Sequence, residues 1–145
     1  MKQLKLNIPF NVKALKDIEI NENYKLSRIY NENLRASIDE ERRMLTILLE
    51  STSRPDFKRK FVDGYRISTI AVFPDFTTNY VESMVVESEV ISLSLACEPL
   101  SFNFYIPENA DQYLICLKIE AFENARLCSG HATKGMRIVD AGDIV

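Results

Sequence analysis

Glycine is scarce in this chain of 145 residues: Gly64, Gly130, Gly135 and Gly142 are all there is. A P-loop or a dinucleotide fingerprint needs clustered glycines, so that bare backbone N–H groups can approach a phosphate, and both are excluded. Histidine occurs once, and every mechanism that relies on imidazole therefore converges on His131. The cysteines Cys97, Cys116 and Cys128 are few, odd in number and set in apolar segments. They fit small hydrophobes in a reducing, cytoplasmic compartment better than a disulfide framework. No uninterrupted apolar run approaches the roughly 20 residues of a membrane-spanning helix. Nor do the first residues, Met1-Lys2-Gln3-Leu4-Lys5, contain the apolar block of a secretory signal.

What is present is an ordinary globular composition, with 46% hydrophobic, 27% charged and 10% aromatic residues. A chain this long can form one domain, 1–145, with a core that needs no metal or disulfide staple. Charge is unevenly spread. Residues 1–64 carry 13 Lys and Arg against 10 Asp and Glu, whereas residues 65–145 carry 5 against 11. A net charge of −3 argues against binding nucleic acid over the whole surface, and leaves only local patches for that role.

Periodicity assigns the elements. Leu4 to Ile8 alternates as a strand before Pro9. Between Val12 and Ile38 helical and alternating patterns compete. A similar heptad, Asn21 to Ser27 and again Asn31 to Ser37, favours a short β-meander. Ser37-Ile38-Asp39-Glu40 has the form of a capping box, and Ile38, Leu45, Leu48 and Leu49 share a helical face. The expectation is a helix at about 38–52, followed at about 55–63 by a helical turn that buries Phe57 and Phe61 on one side.

Beyond Tyr65 the period becomes two. In Val85 to Cys97 the apolar parity switches near Val90-Ile91, which requires a bulge or corner. Leu100 to Ile106 alternates cleanly and is expected to form a hairpin with that segment. Tyr113 to Ala121, apolar on both sides at its start, is expected to be a central strand, with further strands at Arg126 to Cys128 and Met136 to Asp140. The fold class is therefore α+β, mainly antiparallel β as a sandwich or partly closed barrel, with one capped helix and one helical turn.

No constellation of residues forms a recognisable active site. Cys128 and His131 are a thiol and a base three residues apart, the germ of a small hydrolase, but proximity in sequence is weak grounds for a nucleophile pair. A zinc site from Cys97, Cys116, Cys128 and His131 lacks the usual paired-ligand spacing. Asp140 and Asp143, with Asp111, offer too few oxygens for a calcium loop and fit a polar terminal turn instead. Neither a metal nor a cofactor is expected.

Arg54, Lys58, Arg59 and Lys60, with Arg42 and Arg43 before them, form the densest positive patch. The favoured expectation is a non-catalytic protein-interaction or assembly module, an accessory, adaptor or structural subunit. It would use the small polar outer face of a β-sheet at Ser92, Ser94, Ser101, Asn103 and Tyr105, with a protein partner or a second copy of itself. The alternatives are a nucleic-acid-associated protein using the 54–60 patch, and the hydrolase centred on Cys128 and His131.

Overall fold

The computed structural model describes residues 2–5, 12–20, 25–30, 33–50, 54–75, 78, 80–95, 98–129 and 133–144. Its strands are β1 (Lys2–Lys5), β2 (Asn33–Asp39), β3 (Met44–Glu50), β4 (Gly64–Asp75), β5 (Tyr80–Glu87), β6 (Ile91–Ser92), β7 (Leu100–Tyr105), β8 (Gln112–Glu123), β9 (Arg126–Leu127) and β10 (Lys134–Asp143). A 3-10 turn at Val12–Leu15 and a single helical turn, α1 (Leu26–Ile29), complete it. The expected mainly antiparallel β architecture is what the chain adopts.

A curled sheet runs in the order β1-β5-β4-β8-β10, with β6 beside β4 and β9 beside β8, and a second sheet runs β2-β3-β7. Alternation decides what lies between them. Tyr65, Ile67, Ala71 and Phe73 of β4 and Ile115, Leu117, Ile119 and Ala121 of β8 share one buried cluster with Leu45, Ile47 and Leu49 of β3 and Phe102 and Phe104 of β7. The even positions Leu114 and Cys116 point the other way, into a smaller cluster with Val12 and Ile138. Strand β8 is thus buried on both faces, which is why its sequence reads as a continuous apolar run. In β10 one extra residue, Val139, falls between the pairs Ile138–Cys116 and Asp140–Ile115. Ile138 faces the outer cluster and Val139 the inner one, as alternation requires, and the bulge then shifts the parity so that Ala141, not Asp140, returns to the outer cluster.

The parity switch read from the sequence is also a bulge. Glu87 faces Ser68 and Ile91 faces Tyr65, so one residue is extra on the β5–β6 side. Ser88 bridges the gap: its N–H donates to the Ile67 carbonyl (2.8 Å), and its Oγ accepts the Ile67 N–H (3.0 Å).

Two helical expectations are overturned. Residues 38–50 are not a helix but the end of β2, a turn and β3. Almost every residue from Met44 to Leu49 is apolar, so the run satisfies both periods, and its place as the central strand between β2 and β7 selects the extended one. Asp39 Oδ1 does accept the Arg42 N–H (3.2 Å), the kind of bond a helix cap makes, but here it closes a turn in which Arg43 takes φ 48°. Residues 55–63 form no helix and are irregular apart from a turn at 60–61. Pro55 and Phe57 are buried while Phe61 is 68% exposed, so the two rings do not share a side.

The β-meander expected over residues 12–36 is likewise replaced. Residues 12–20 wrap the outer sheet edge, where Ile138 donates its N–H to Ile18 O (2.9 Å), and α1 plugs the core with Leu26 and Ile29. The similar heptads differ in structure, since Lys25-Leu26-Ser27 leads into α1 whereas Arg35-Ala36-Ser37 lies in β2. Residues 21–24 and 31–32 lie outside the described residues.

Candidate interaction surface

Strand β7 buries Phe102 and Phe104 and turns Ser101, Asn103 and Tyr105 to solvent. Its partner is β3, not the 85–97 segment that the alternation suggests. Alternation tells which residues share a face, not which strand lies alongside. After the bulge the chain leaves the curled sheet at Ser92 and turns at 93–95.

The pairing builds three rows on the outer face of the small sheet: Arg35-Leu48-Ser101, Ser37-Thr46-Asn103 and Asp39-Met44-Tyr105. Thr46 Oγ1 donates to Asn103 Oδ1 at 2.8 Å, and Tyr105 is 71% exposed. At one end Glu50 takes Arg35 (2.7 Å) and Asn33 Nδ2 (3.0 Å), and at the other Asp39 lies 3.8 Å from Arg42 Nε. Three of the five surface residues expected from sequence, Ser101, Asn103 and Tyr105, therefore come together. Ser92 and Ser94 do not join them; they sit at the corner of the curled sheet, their hydroxyls 2.8 Å apart. Ser37, Met44, Thr46 and Leu48 are not found by sequence reasoning, because the nearly all-apolar Met44–Leu49 run fits a helix as well as a strand; the alternating burial along Met44–Glu50 shows only in the structure.

The basic segment is held by specific contacts. Asp56 donates its N–H to Ile29 O (2.7 Å), and its carboxylate accepts the Lys58 N–H (3.0 Å) and pairs with Lys58 Nζ (2.7 Å). Those hydrogen bonds to Lys58 hold the Asp56 carboxyl below its ordinary value, and Lys58 takes φ 56°. Arg54, Lys58, Arg59 and Lys60 flank a groove of about 620 Å³ floored by Phe57 and Leu93. Lys60 Nζ lies 5.7 Å from the centre of the exposed Phe61 ring. Arg42 and Arg43 are engaged elsewhere, Arg42 with Asp39, and Arg43 with the carbonyls of Pro107 and Glu108.

Cys128 follows the β8–β9 hairpin and donates its N–H to Ala121 O (2.9 Å). Burial pushes its thiol up, Glu123 and Asp63 add to that, and Arg59 opposes it. A nucleophilic thiol needs the reverse shift. His131 and Cys97 lie outside the described residues. Asp140 and Asp143 stand in β10 instead of the expected terminal turn, where Asp140 Oδ2 accepts the Tyr113 hydroxyl (2.9 Å) and Asp143 pairs with Lys13. Among the described residues no three His, Cys, Asp or Glu side chains gather in a metal-binding group, and no helix is long and apolar enough to cross a membrane.

No family model, curated protein or solved structure matches this chain.

Proposed function

We propose that the protein is a non-catalytic interaction or assembly module, an accessory, adaptor or structural subunit, that docks protein partners on the outer face of β2-β3-β7. The observation that carries this reading is the make-up of that face. None of its outward positions is a lysine; Tyr105, Met44, Leu48 and Arg35 surround a centre of Ser37, Thr46 and Asn103. Protein interfaces favour aromatic residues, Met and Arg and are depleted of Lys, and adaptable hydroxyl and amide groups supply hydrogen bonds around rigid aromatic anchors. A cytoplasmic setting agrees with two unpaired cysteines, Cys116 and Cys128, whose thiols both stay protonated at neutral pH.

The test is quantitative capture of proteins from the native host by wild type and by the double variant Thr46→Glu/Asn103→Glu. Both sites are solvent-facing, so the variant is expected to keep the wild-type fold and lose the captured proteins. Equal capture by the two would overturn the reading.

A second reading, a nucleic-acid-associated protein using Arg54, Lys58, Arg59 and Lys60, is favoured by one finding: the exposed Phe61 ring beside these cations, available to stack on a base. Binding of single-stranded oligonucleotides should then fall steeply with salt and drop about 10-fold or more in Phe61→Ala. Binding that ignores both changes would remove this reading.

A further inference from the structure

The small sheet has two edge strands, β2 and β7, both without lysine, proline or a bulge, and of the two only β2 carries charge, Arg35 and Asp39. On one side β2 pairs with β3; among the described residues no strand pairs with its other side. Exposed edges are commonly blunted by lysine, proline, a bulge or shortness. At the edge of the curled sheet the described part of β1 holds two lysines, Lys2 and Lys5, in its four residues. At its other end β10 is covered by residues 17–20 through hydrogen bonds to Met136 and Ile138. Strand β2 has none of these devices. It is seven residues long, contains neither lysine nor proline, and keeps unbroken register from Asn33–Glu50 to Asp39–Met44. Its inward residues Leu34, Ala36 and Ile38 remain half-buried, and an open groove of about 470 Å³ runs beside Asn33, Leu34 and Ala36.

We infer that this edge pairs with β2 of a second copy, antiparallel across a two-fold axis, to make a continuous six-stranded sheet. The occupant follows from the order of charges. In an antiparallel pair of identical strands, directly opposed residues must point to the same face, so the axis passes through a residue and never between two. With the axis at Ser37, Arg35 stands opposite Asp39 of the second copy, and symmetry makes that pair twice. On the inner face Ala36 then meets Ile38 of the second copy, covering apolar surface that the monomer leaves half-exposed. Both charged side chains are accessible for this: Arg35 is 73% and Asp39 50% exposed, and among the described residues each pairs with one local counter-charge. One strand pair is a small interface, under the roughly 1,200 Å² at which stable specific complexes begin, so the dimer is a weak one that dissociates on dilution. It doubles the docking face and rests on the assembly reading above.

Sedimentation of the full chain between about 1 and 100 µM is expected to show a monomer–dimer equilibrium, as a weak interface of this size requires. Arg35→Glu or Asp39→Arg alone weakens it at least about 10-fold, because like charges then stand opposite each other, and the charge-swapped double variant Arg35→Glu/Asp39→Arg restores it. Thermal melts of the three variants identify any that unfolds. Ser37→Cys gives a second readout independent of charge: oxidation yields a cross-linked dimer beyond the wild-type background, whereas Leu48→Cys, on the central strand, does not. A chain that remains monomeric at 100 µM with no Ser37→Cys cross-link overturns the dimer. If Thr46→Glu/Asn103→Glu still abolishes partner capture in that case, the assembly reading stands without it; if capture is also unchanged, both fall.

Discussion

Thr46 and Asn103 stand directly opposite each other across β3 and β7, joined by a 2.8 Å hydrogen bond on the solvent side, while the next residue, Ile47, is fully buried. The one-residue step from surface to core separates two costs. Thr46→Val removes one exposed hydrogen bond and is expected to change stability by less than about 1 kcal/mol. Ile47→Ala empties a core site and is expected to cost about 2–5 kcal/mol. Urea denaturation of the two variants checks both; comparable losses would mean that the strand does not present alternate faces.

Much of this arrangement is legible in the sequence, and what is not has two causes. Where polar and apolar residues alternate, as in Leu100 to Tyr105, or change phase, as across Glu87 to Ile91, the sequence states the strand and even its bulge. Where a strand is central and apolar throughout, as in Met44 to Leu49, periodicity cannot separate helix from strand, and a nearby Asp39 turn imitates a cap. The same ambiguity misplaced Phe61, because a helical spacing of four residues had paired it with Phe57. Strand neighbours were not legible at all: nothing in β7 names β3, since pairing is chosen by the whole core.

Gly135 permits α1 to lie against β10. A Cβ there would come within 2.8 Å of Leu26 Cα and 3.1 Å of Ile29 Cδ1, and backbone cannot yield as a side-chain tip can. Gly135→Ala is expected to destabilise by about 1–3 kcal/mol through overpacking. A measured gain in stability would show that α1 is free to move away.

Ala125 offers the opposite case. Asn124 and Ala125 form the two-residue turn between β8 and β9 with φ 49° and 63°, the doubly left-handed form whose preferred sequence is Asn-Gly. Alanine pays a steric penalty in that region that glycine escapes. Ala125→Gly is therefore expected to raise stability by up to about 1 kcal/mol after its greater unfolded-state entropy is subtracted. A loss in thermal denaturation would contradict the turn.

Arg66 and Glu120 oppose each other on β4 and β8 at 2.9 Å, with Glu120 only 4% exposed, Lys118 within 3.6 Å of its other oxygen, and the guanidinium 5.2 Å from the Phe122 ring centre. Arg66→Met keeps an apolar stem against Phe122 but leaves the buried carboxylate to Lys118 alone, at an expected cost of about 3 kcal/mol. Adding Glu120→Leu should recover most of that loss, since the uncompensated charge then disappears. No recovery in the double variant would mean that packing around Arg66, not charge, sets the cost.

Alkaline pH should unfold this protein through two interior groups. Burial pushes the Cys116 thiol up to about 12. Burial, followed by the hydrogen bond to Asp140 and the charges of Asp140 and Asp143, raises the Tyr113 hydroxyl as well. Unfolded, these groups ionise near about 8.5 and 10. Because the folded values lie higher, their contribution is complete below about pH 8.5 and is lost as pH rises toward the folded values, by at most about 1.4 kcal/mol per pH unit for each proton. Denaturation midpoints measured from pH 7 to 11 should fall above pH 9, with Cys116→Ala flattening the earlier part of the decline and Tyr113→Phe the later part. A wild-type curve that both substitutions leave unchanged would mean that neither group is withheld from solvent as their burial requires.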